Sequence, residues 1–338
     1  MNRLHIPEPI SAGLILSYKC GGTCKHCMYA CSPFWRADWL TKNGVELILK
    51  QLAPRIKPSP YGREDVSVNH GLHFTGGEPF LNFNLLLDAV KIANRLKIPS
   101  TFVETNCFWC TSEEHVKEKL TVLKEAGLKG ILISVNPFIL EQVPFEQTER
   151  AIRIGREVFG ENAMIYQETY YRRFKSLNIK GTLTLEKYLE KDKEALRYAE
   201  LLPMGRACYK LKNLFVKHPA EEFFNESCIR ELTRNWHIHI DNYFNYMTGY
   251  CGGISLGDAR DISSLTQGIT LQDKPILRAL TTSIRSLYDF AVKEFSYKEK
   301  DEGYISKCHL CIDIRRHIVQ QTDRLKELQP RELYEYLE

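Results

Sequence analysis

The sequence predicts an α/β fold with a parallel sheet over residues 10–205, followed by a smaller cysteine-rich domain over residues 206–338. Three observations support this prediction. Short apolar runs alternate with helix-period segments in the first part of the chain. Each apolar run ends at polar or glycine residues. After residue 205 the alternation stops, and short segments, further cysteines and a helical tail follow.

Six apolar runs are the predicted strands, in the order SAGLILSY, VSVNHGLHFT, STFVET, GILISV, NAMIYQE and ELLPM. Helices are predicted between them at NGVELILKQLA, NFNLLLDAVKIANRLK, SEEHVKEKLTVLKEAG, QTERAIRIGREVFG and TLEKYLEKDKEALRYA. Predicted helix caps are Asn82 or Asn84, Ser112 and Thr184, and predicted helix stops are Gly127 and Gly160. Repeated strand-helix units imply parallel strands with right-handed crossovers, so polar strand ends collect at one rim.

The composition is that of an ordinary soluble globular protein, with 43% apolar and 26% charged residues among 338. The formal net charge of +4 comes from 46 basic and 42 acidic residues that are interspersed, so we expect no nucleic acid or membrane partner. No apolar run approaches the roughly 18 residues of a membrane span. The N-terminal stretch MNRLHIPEPI lacks the apolar region of a signal peptide, so we expect a cytoplasmic protein.

The chain has eleven cysteines, an odd number that cannot all pair. In a reducing compartment, metal binding or thiol chemistry is favoured over disulfides. The first group is Cys20, Cys24 and Cys27, with the spacing C-x3-C-x2-C directly after the first predicted strand. Three thiolates are one too few for a closed site, so a fourth position is left for an exogenous ligand.

A second motif, HFTGGEPFLN, follows the next predicted strand on the same rim. Its two glycines allow a ligand to approach the backbone, and a glutamate beside them supplies a carboxylate. C-x3-C-x-aromatic-C followed by GGEP resembles the radical S-adenosylmethionine superfamily. The resemblance implies a partial (β/α)6 radical SAM barrel in which Cys20, Cys24 and Cys27 hold a 4Fe-4S cluster and S-adenosylmethionine chelates its fourth iron.

The resemblance also implies the positions that contact the cofactor. His26 would lie near the adenine, and the GGEP residues would contact the methionyl amine, which assigns Gly76, Gly77, Glu78 and Pro79. Reductive cleavage of the cofactor would yield a 5'-deoxyadenosyl radical that abstracts hydrogen from the substrate.

Further polar residues lie at predicted strand ends on the rim. Thr105 and Asn106 occupy the place of a TNG-like turn of the family, but Cys107 stands where the glycine would be. Ser134 ends the fourth strand and Glu168 the fifth, so both are candidates for contact with the ribose. Each could instead bind a loop amide, as buried polar residues at strand ends often do.

The C-terminal region carries Cys228, Cys251, Cys308 and Cys311 around a predicted hairpin that begins at WHIHID, turns near Asn242 and ends at Cys251. These four thiolates are enough to close one cluster. The arrangement, preceded by the segment MGRAC, resembles the twitch or SPASM extensions and implies one auxiliary 4Fe-4S cluster. The alternatives are a structural zinc or cysteines buried as apolar residues.

Four cysteines then remain, namely Cys31, Cys107, Cys110 and Cys208. Cys208 is a possible replacement ligand for the auxiliary cluster. Cys107 or Cys110 could donate a hydrogen atom to a substrate radical or bind a metal, and simple packing is the alternative.

Three functions are compatible with these patterns. The first is a radical enzyme that modifies a peptide or protein, since CMYACSP and TNCFW resemble the branch that includes peptide epimerases. The second is a radical enzyme that makes a small molecule or cofactor, and the third is a non-catalytic iron-sulfur or zinc protein. The open cysteine triplet with GGEP speaks against the third. For the radical functions, the expected electron donor is a ferredoxin or flavodoxin.

Overall fold

The computed structural model describes residues 3–36, 38–198 and 200–338. The chain divides into two compact units. The first unit consists of Ile10–Cys24 and Cys31–Leu201. The second unit consists of the chain up to Pro9, the short segment Lys25–Ala30, and Leu202–Glu338. The predicted change of organisation after residue 205 thus lies close to this division, but the sequence did not indicate that Lys25–Ala30 packs with the second unit.

The chain begins with β1 (Arg3–Leu4), which belongs to the second unit. The first unit then contains, in order, β2 (Ser11–Ile15), α1 (Lys42–Leu52), β3 (Gly71–Thr75), α2 (Phe83–Arg95), β4 (Thr101–Thr105), α3 (Glu113–Glu125), β5 (Gly130–Ser134), α4 (Pro137–Leu140), α5 (Phe145–Phe159), β6 (Ala163–Tyr166), α6 (Glu168–Ser176) and α7 (Leu185–Lys191).

The five strands β2 to β6 of the first unit are parallel, and their spatial order is their order along the chain. When every crossover is right-handed and advances the same way, the helices collect on one face of the sheet. Helix α5 lies on this face, because a Cβ at Gly155 would be 3.5 Å and 3.6 Å from the side chains of Ile131 and Ile133. The predicted α/β fold with a parallel sheet is therefore confirmed, and the strand order is that of part of a barrel.

The other face of this sheet carries an apolar cluster that includes Phe102 and Leu132. Side chains alternate along a strand, so Glu104 and Ser134 share that face. Glu104 is bonded there by the Thr75 hydroxyl at 2.6 Å, and burial raises the pKa of its carboxyl to about 7. The face that carries no helix is therefore apolar near the strand centres and polar toward their carboxyl ends.

Two predicted elements of the first unit differ in the structure. Residues 200–204, the predicted sixth strand, form no strand. The helix predicted from Thr184 ends at Lys191, because Asp192 leaves the helical conformation at φ −136° and ψ 80°. A 3-10 turn follows at Ala195–Tyr198.

The predicted helix N-caps at Asn82, Ser112 and Thr184 are confirmed. Asn82, Ser112 and Thr184 each accept a hydrogen bond from the backbone N–H three residues later, at Leu85, His115 and Lys187. Gly160 is the C-cap of α5, and Gly127 follows α3 at φ +110°.

The second unit contains, after β1, α8 (Ala207–Lys210), α9 (Ile229–Leu232), β7 (Ile238–Ile240), β8 (Asn245–Met247), β9 (Gly257–Asp258), α10 (Ile262–Gln267), β10 (Ile269–Thr270), α11 (Pro275–Thr282), α12 (Ile284–Phe295) and α13 (Lys307–Gln321). Strands β7, β8 and β9 are antiparallel neighbours, and β1 pairs antiparallel with β10. Short 3-10 turns elsewhere in the two units are Pro79–Asn82, Gly160–Asn162, Lys212–Leu214, Ala220–Phe223, Ala259–Asp261 and Arg331–Glu335.

The predicted hairpin forms from β7 and β8, but β8 ends at Met247, four residues before Cys251. The predicted helical tail includes the last helix, α13. Helix α13 begins at Lys307, capped by the Ser306 side chain, and therefore includes Cys308 and Cys311 in its first turns. Within the described residues, no helix is both long and apolar enough to cross a membrane.

An ion pair between the buried Asp192 carboxylate and the more exposed Arg173 holds the end of α7 to α6 within the first unit. The Asp192 carboxylate accepts from Arg173 Nε at 2.8 Å and Nη2 at 2.7 Å, and from the Tyr188 and Tyr198 hydroxyls at 3.1 Å and 3.2 Å. The hydrogen bonds from Arg173 lower the pKa of Asp192, although burial acts in the opposite direction.

Replacement Asp192→Asn should therefore lower the free energy of unfolding by about 2 kcal/mol at neutral pH, because it removes a charged acceptor of several buried hydrogen bonds. A lowered pKa in the folded state stabilises the fold above the unfolded pKa and loses this effect as pH falls. The difference from wild type in urea unfolding should be complete above about pH 5 and should shrink below about pH 4.

The matched control is Asp88→Asn, which removes a more exposed carboxylate that accepts from Lys42 at 2.9 Å. We expect a change below about 1 kcal/mol for this variant. Equal losses in the two variants, or a difference that does not depend on pH, would contradict the role given to Asp192.

Candidate functional site

The ends of β3 and β4 are joined by the buried carboxylate of Glu78, which is 1% exposed. The Thr105 hydroxyl donates to its two oxygens at 3.0 Å and 3.1 Å. The backbone N–H groups of Asn106 and Phe80 donate to it at 2.8 Å and 3.2 Å. Glu78 therefore fixes the turn after β3 to the turn after β4.

Burial raises the pKa of Glu78 to about 7, while the hydrogen bonds from Asn106, Phe80 and Thr105 act in the opposite direction. A buried carboxyl with such a pKa binds a positively charged group well, because the cation replaces the lost hydration of the carboxylate. An ammonium group is a ligand of this kind.

The two glycines before Glu78 lie against the chain that leads into Cys20. A Cβ at Gly77 would be 1.9 Å from the carbonyl oxygen of Lys19, and a Cβ at Gly76, where φ is +131°, would be 2.3 Å from that of Ser17. Backbone hydrogen bonds join the same segments, from Gly77 N to Ser17 O at 2.8 Å and from Glu78 N to Lys19 O at 3.0 Å. Only glycine allows this close approach.

Asn106 connects the glutamate to the first cysteine. Its backbone N–H bonds Glu78, and its side-chain Nδ2 lies 3.5 Å from the sulfur of Cys20, which is 7% exposed. The first unit thus brings together three predicted site residues from the ends of three successive strands, β2, β3 and β4.

The other two cysteines of the triplet lie in the same loop and are half-buried. Cys24 ends its segment of the first unit, whereas Cys27 belongs to the segment of the second unit that also contains His26. Burial, followed by the positive charge of Arg206, lowers the pKa of His26 to about 4, so its ring is neutral at pH 7.

Within the second unit, the MGRAC segment holds the chain around Cys27. The backbone N–H of Arg206 donates to the carbonyl of Cys27 at 3.0 Å. Gly205 has a φ of +54°, and a Cβ there would be 2.4 Å from the carbonyl oxygen of Met28. The MGRAC segment therefore packs on the chain at Cys27 and Met28 within the second unit.

The remaining predicted cofactor contacts lie as follows. Pro79 begins the 3-10 turn after Glu78, and Ser134 is the last residue of β5. Glu168 is not at a strand end, which corrects the prediction. Strand β6 ends at Tyr166, Gln167 has a φ of +63°, and Glu168 begins α6, where its carboxylate pairs with Arg172.

Sequence reasoning missed the role of two aromatic residues near Glu78. The indole Nε1 of Trp109 donates to the Thr105 hydroxyl at 2.9 Å, and its ring stacks on Phe80 with centroids 3.9 Å apart. These contacts orient the hydroxyl that holds Glu78. Trp109 lies between Cys107 and Cys110 in the NCFWC segment, and its aromatic side chain beside a strand end was the available sequence signal.

All eleven cysteines are thiols rather than disulfides in the described chain. Of those left without a predicted role, Cys107 and Cys110 are fully buried, and Cys107 has a φ of +68°. Cys31 donates to Gly76 O at 3.4 Å and Cys208 to Pro203 O at 3.2 Å. The predicted packing alternative therefore describes the surroundings of these four thiols.

The second unit contains a cavity lined by the four cysteines Cys228, Cys251, Cys308 and Cys311. Cys228 immediately precedes α9, Cys251 follows the hairpin, and the other two lie on the first turns of α13. Residues that are far apart in the sequence thus converge on one space.

Burial and the neighbouring thiols affect the ionisation of three cysteines of this cavity. Burial and then the neighbouring sulfur charges raise the pKa values of Cys228 and Cys308, and burial raises that of Cys251 to about 11. These three thiols are therefore neutral at pH 7. A bound metal centre would stabilise their deprotonated forms.

A glycine substitution tests the close approach of the GGEP turn to the cysteine loop. Because the Cβ of Gly77→Ala would overlap backbone atoms of Lys19, we expect a loss of about 2 kcal/mol or more in the free energy of unfolding. Thermal unfolding followed by circular dichroism measures this loss.

Gly21→Ala in the cysteine loop is the matched control, because its Cβ would meet nothing closer than 3.9 Å. This variant should unfold within about 1 kcal/mol of the wild type. Comparable stability of both variants would contradict the close packing described for Gly77.

Comparison with known proteins gives no match to any family model and no match among curated proteins. Solved structures do match. BtrN in complex with AdoMet and 2-DOIA is 14% identical, covering 84% of this chain and 89% of that one, with a TM-score of 0.43. Native anSMEcpe with bound AdoMet is 11% identical, covering 92% and 96%, with a TM-score of 0.44. Streptococcus suis SuiB bound to S-adenosylmethionine is 15% identical, covering 82% and 68%, with a TM-score of 0.33. Each of these three structures contains bound AdoMet or S-adenosylmethionine, which is a property of those proteins.

Proposed function

We propose that this chain is a radical S-adenosylmethionine enzyme that cleaves its cofactor reductively and abstracts hydrogen from a substrate. The observation that carries the proposal is the contact of Asn106 with both Glu78 and Cys20. Through it, the cofactor-binding motif and the first cluster ligand of the resemblance lie side by side.

In this proposal Cys20, Cys24 and Cys27 hold a 4Fe-4S cluster. The donor set fits, because it consists of three thiols within eight consecutive residues, and a cluster of this type needs a fourth ligand from elsewhere. When bound, the cluster and S-adenosylmethionine supply the one-electron cleavage that yields a 5'-deoxyadenosyl radical.

The chain's own residues bind and orient that cofactor. Glu78 accepts the protonated methionyl amine, whose charge returns the carboxyl to its ionised form. Gly76 and Gly77 let the turn that carries Glu78 pack directly on the chain that leads into Cys20, as only residues without a Cβ can. The neutral ring of His26 is suited to a place beside the uncharged adenine. Contacts of Pro79, Ser134 and Glu168 with the cofactor stay predictions.

The second unit would hold one auxiliary 4Fe-4S cluster through Cys228, Cys251, Cys308 and Cys311. One feature supports a cluster over zinc. The buried Nε of Arg315, a residue that lines the same cavity, has no hydrogen-bond acceptor among the described residues. An anionic group with sulfur acceptors would satisfy it.

A peptide or protein is the substrate we propose, on the resemblance of CMYACSP and TNCFW to the peptide-modifying branch. Solved structures that contain peptides include anSMEcpe with a Cp18Cys peptide and SuiB with the precursor peptide SuiA, which is a property of those proteins. The small-molecule alternative shares every motif of the site. A ferredoxin or flavodoxin remains the predicted electron donor.

Replacement of Cys20, Cys24 and Cys27 together by alanine should abolish formation of 5'-deoxyadenosine and leave roughly half of the iron, since the auxiliary site has its own ligands. Iron per chain after anaerobic reconstitution and product analysis by liquid chromatography measure the two effects. Cys31→Ala is the control and should keep its iron. Persistent turnover of S-adenosylmethionine in the triple variant would show that the triplet is not the catalytic site.

Glu78→Gln should weaken binding of S-adenosylmethionine by about tenfold or more, because it removes the charge that pairs with the methionyl amine. Glutamine retains the shape and one of the two acceptor oxygens, and the iron content measured in parallel shows whether the variant still holds its cluster. Anaerobic equilibrium dialysis with the cofactor measures the dissociation constant.

Glu113→Gln, an exposed carboxylate in the first turn of α3, is the matched control for this substitution. Its dissociation constant should equal that of the wild type. An unchanged constant in Glu78→Gln would remove Glu78 from the cofactor site.

A further inference from the structure

Arg315 lies on the same helix as two of the auxiliary cysteines. It follows Cys311 by four residues on α13, so the two side chains lie on one face of that helix. The Arg315 side chain is buried, with 5% of the residue exposed, and it lines the cavity that the four cysteines surround. A guanidinium group is rarely buried without an anionic partner.

The protein fixes one side of this guanidinium. Its Nη1 donates to the carbonyl of Gly252 at 3.0 Å and to the hydroxyl of Tyr334 at 2.8 Å. The Tyr334 hydroxyl in turn donates to the carbonyl of Gly253 at 2.6 Å. Neither carbonyl nor hydroxyl carries a formal charge, so these bonds orient the cation without neutralising it.

The Nε of Arg315 has no acceptor within the described part of the chain and is buried. Leaving a charged donor unsatisfied in the interior is costly. Burial acts against the cation, but a guanidinium is not deprotonated in proteins, so the group stays charged. Among the residues that the structure describes, the Nε of Arg315 lacks an acceptor, and its positive charge lacks an anionic partner. An anionic centre with acceptor atoms in the cavity would supply both.

We propose that Arg315 is a positioning residue that donates a hydrogen bond from Nε to the auxiliary iron-sulfur cluster and raises the reduction potential of that cluster. The inference rests on the proposed function, because it requires the auxiliary cluster. Reduction adds one electron to a cluster that is already anionic with four thiolate ligands. A buried cation stabilises the reduced form more than the oxidised form, and hydrogen bonds to sulfur act in the same direction.

The test uses the full chain in the background Cys20→Ala, Cys24→Ala and Cys27→Ala, so that only the auxiliary cluster contributes to the signal. The midpoint potential is measured by anaerobic redox titration followed by electron paramagnetic resonance. Arg315→Gln should favour the oxidised form about tenfold or more, a shift of about 59 mV to more negative potential for a one-electron couple.

Arg316→Gln is the matched control. Arg316 is the next residue of the same helix and pairs with Glu338 at 2.6 Å, and it does not line the cavity. This variant removes the same charge from the chain but should shift the potential by less than half as much. Equal shifts in the two variants would overturn the inference.

Tyr334→Phe keeps the ring and removes the hydroxyl that accepts from Arg315, so it provides a second test if Arg315→Gln does not fold or hold iron. In Tyr334→Phe the midpoint potential of the auxiliary cluster should also become more negative. The shift should be smaller than in Arg315→Gln, because the cation remains but is less well oriented. The inference would be overturned if neither variant shifts the potential. It would also be overturned if Arg315→Gln does not hold the cluster and Tyr334→Phe shows no shift. Absence of iron from the background chain would instead refute the auxiliary cluster, and the inference with it.

Discussion

The carboxylate of Glu78 is the constraint on which the candidate site depends. It is buried and accepts hydrogen bonds from a side chain and two backbone N–H groups. These hydrogen bonds join the loop after β3 to the loop after β4. Because Gly77 lies against Lys19, the loop after β3 also packs on the chain that enters the cysteine loop. Three loops from the carboxyl ends of neighbouring parallel strands are thereby held in fixed positions, as binding of a small cofactor requires.

In the second unit, the main constraint is the charge of the groups around the cysteine-lined cavity. Four thiols line one cavity together with the buried guanidinium of Arg315, and two of these thiols, Cys228 and Cys311, are buried. Thiolates there would repel each other, and a buried cation without an anionic partner would be costly. Two of the thiols lie at the N-terminal end of α13, whose backbone dipole favours negative charge. Helix, guanidinium and thiols together favour an anionic centre that needs several ligands from distant parts of the chain, and such a centre would stabilise the fold by closing long loops.

Much of this arrangement could be predicted from local patterns. Five strands, their parallel direction and the caps at Asn82, Ser112 and Thr184 follow from apolar periodicity and from side chains that bond nearby backbone groups. The grouping of Glu78 with Asn106 follows from the rule that parallel strands end at one rim. The sequence predicted that Cys228 and the cysteines of α13 lie together only because four thiolates are enough to close one cluster. No local pattern indicated this contact.

What the sequence did not predict depends on contacts between distant residues or on single backbone angles. ELLPM is apolar enough for a strand, yet residues 200–204 form none. Glu168 does not lie at the end of a strand, because the chain turns at Gln167, which has a left-handed conformation, and Glu168 begins α6. Arg315 is one of many basic residues in a charged helical tail, and only the fold shows that its side chain points into a cavity rather than toward water.

The central claim is that the chain holds two distinct clusters and that only one of them binds S-adenosylmethionine. The most direct measurement is the electron paramagnetic resonance spectrum of the chemically reduced, reconstituted protein with and without S-adenosylmethionine. The account predicts two cluster signals, of which one changes its g values on addition of the cofactor and the other does not. A spectrum that is insensitive to the cofactor, or a protein that retains zinc and gives no cluster signal, would contradict it.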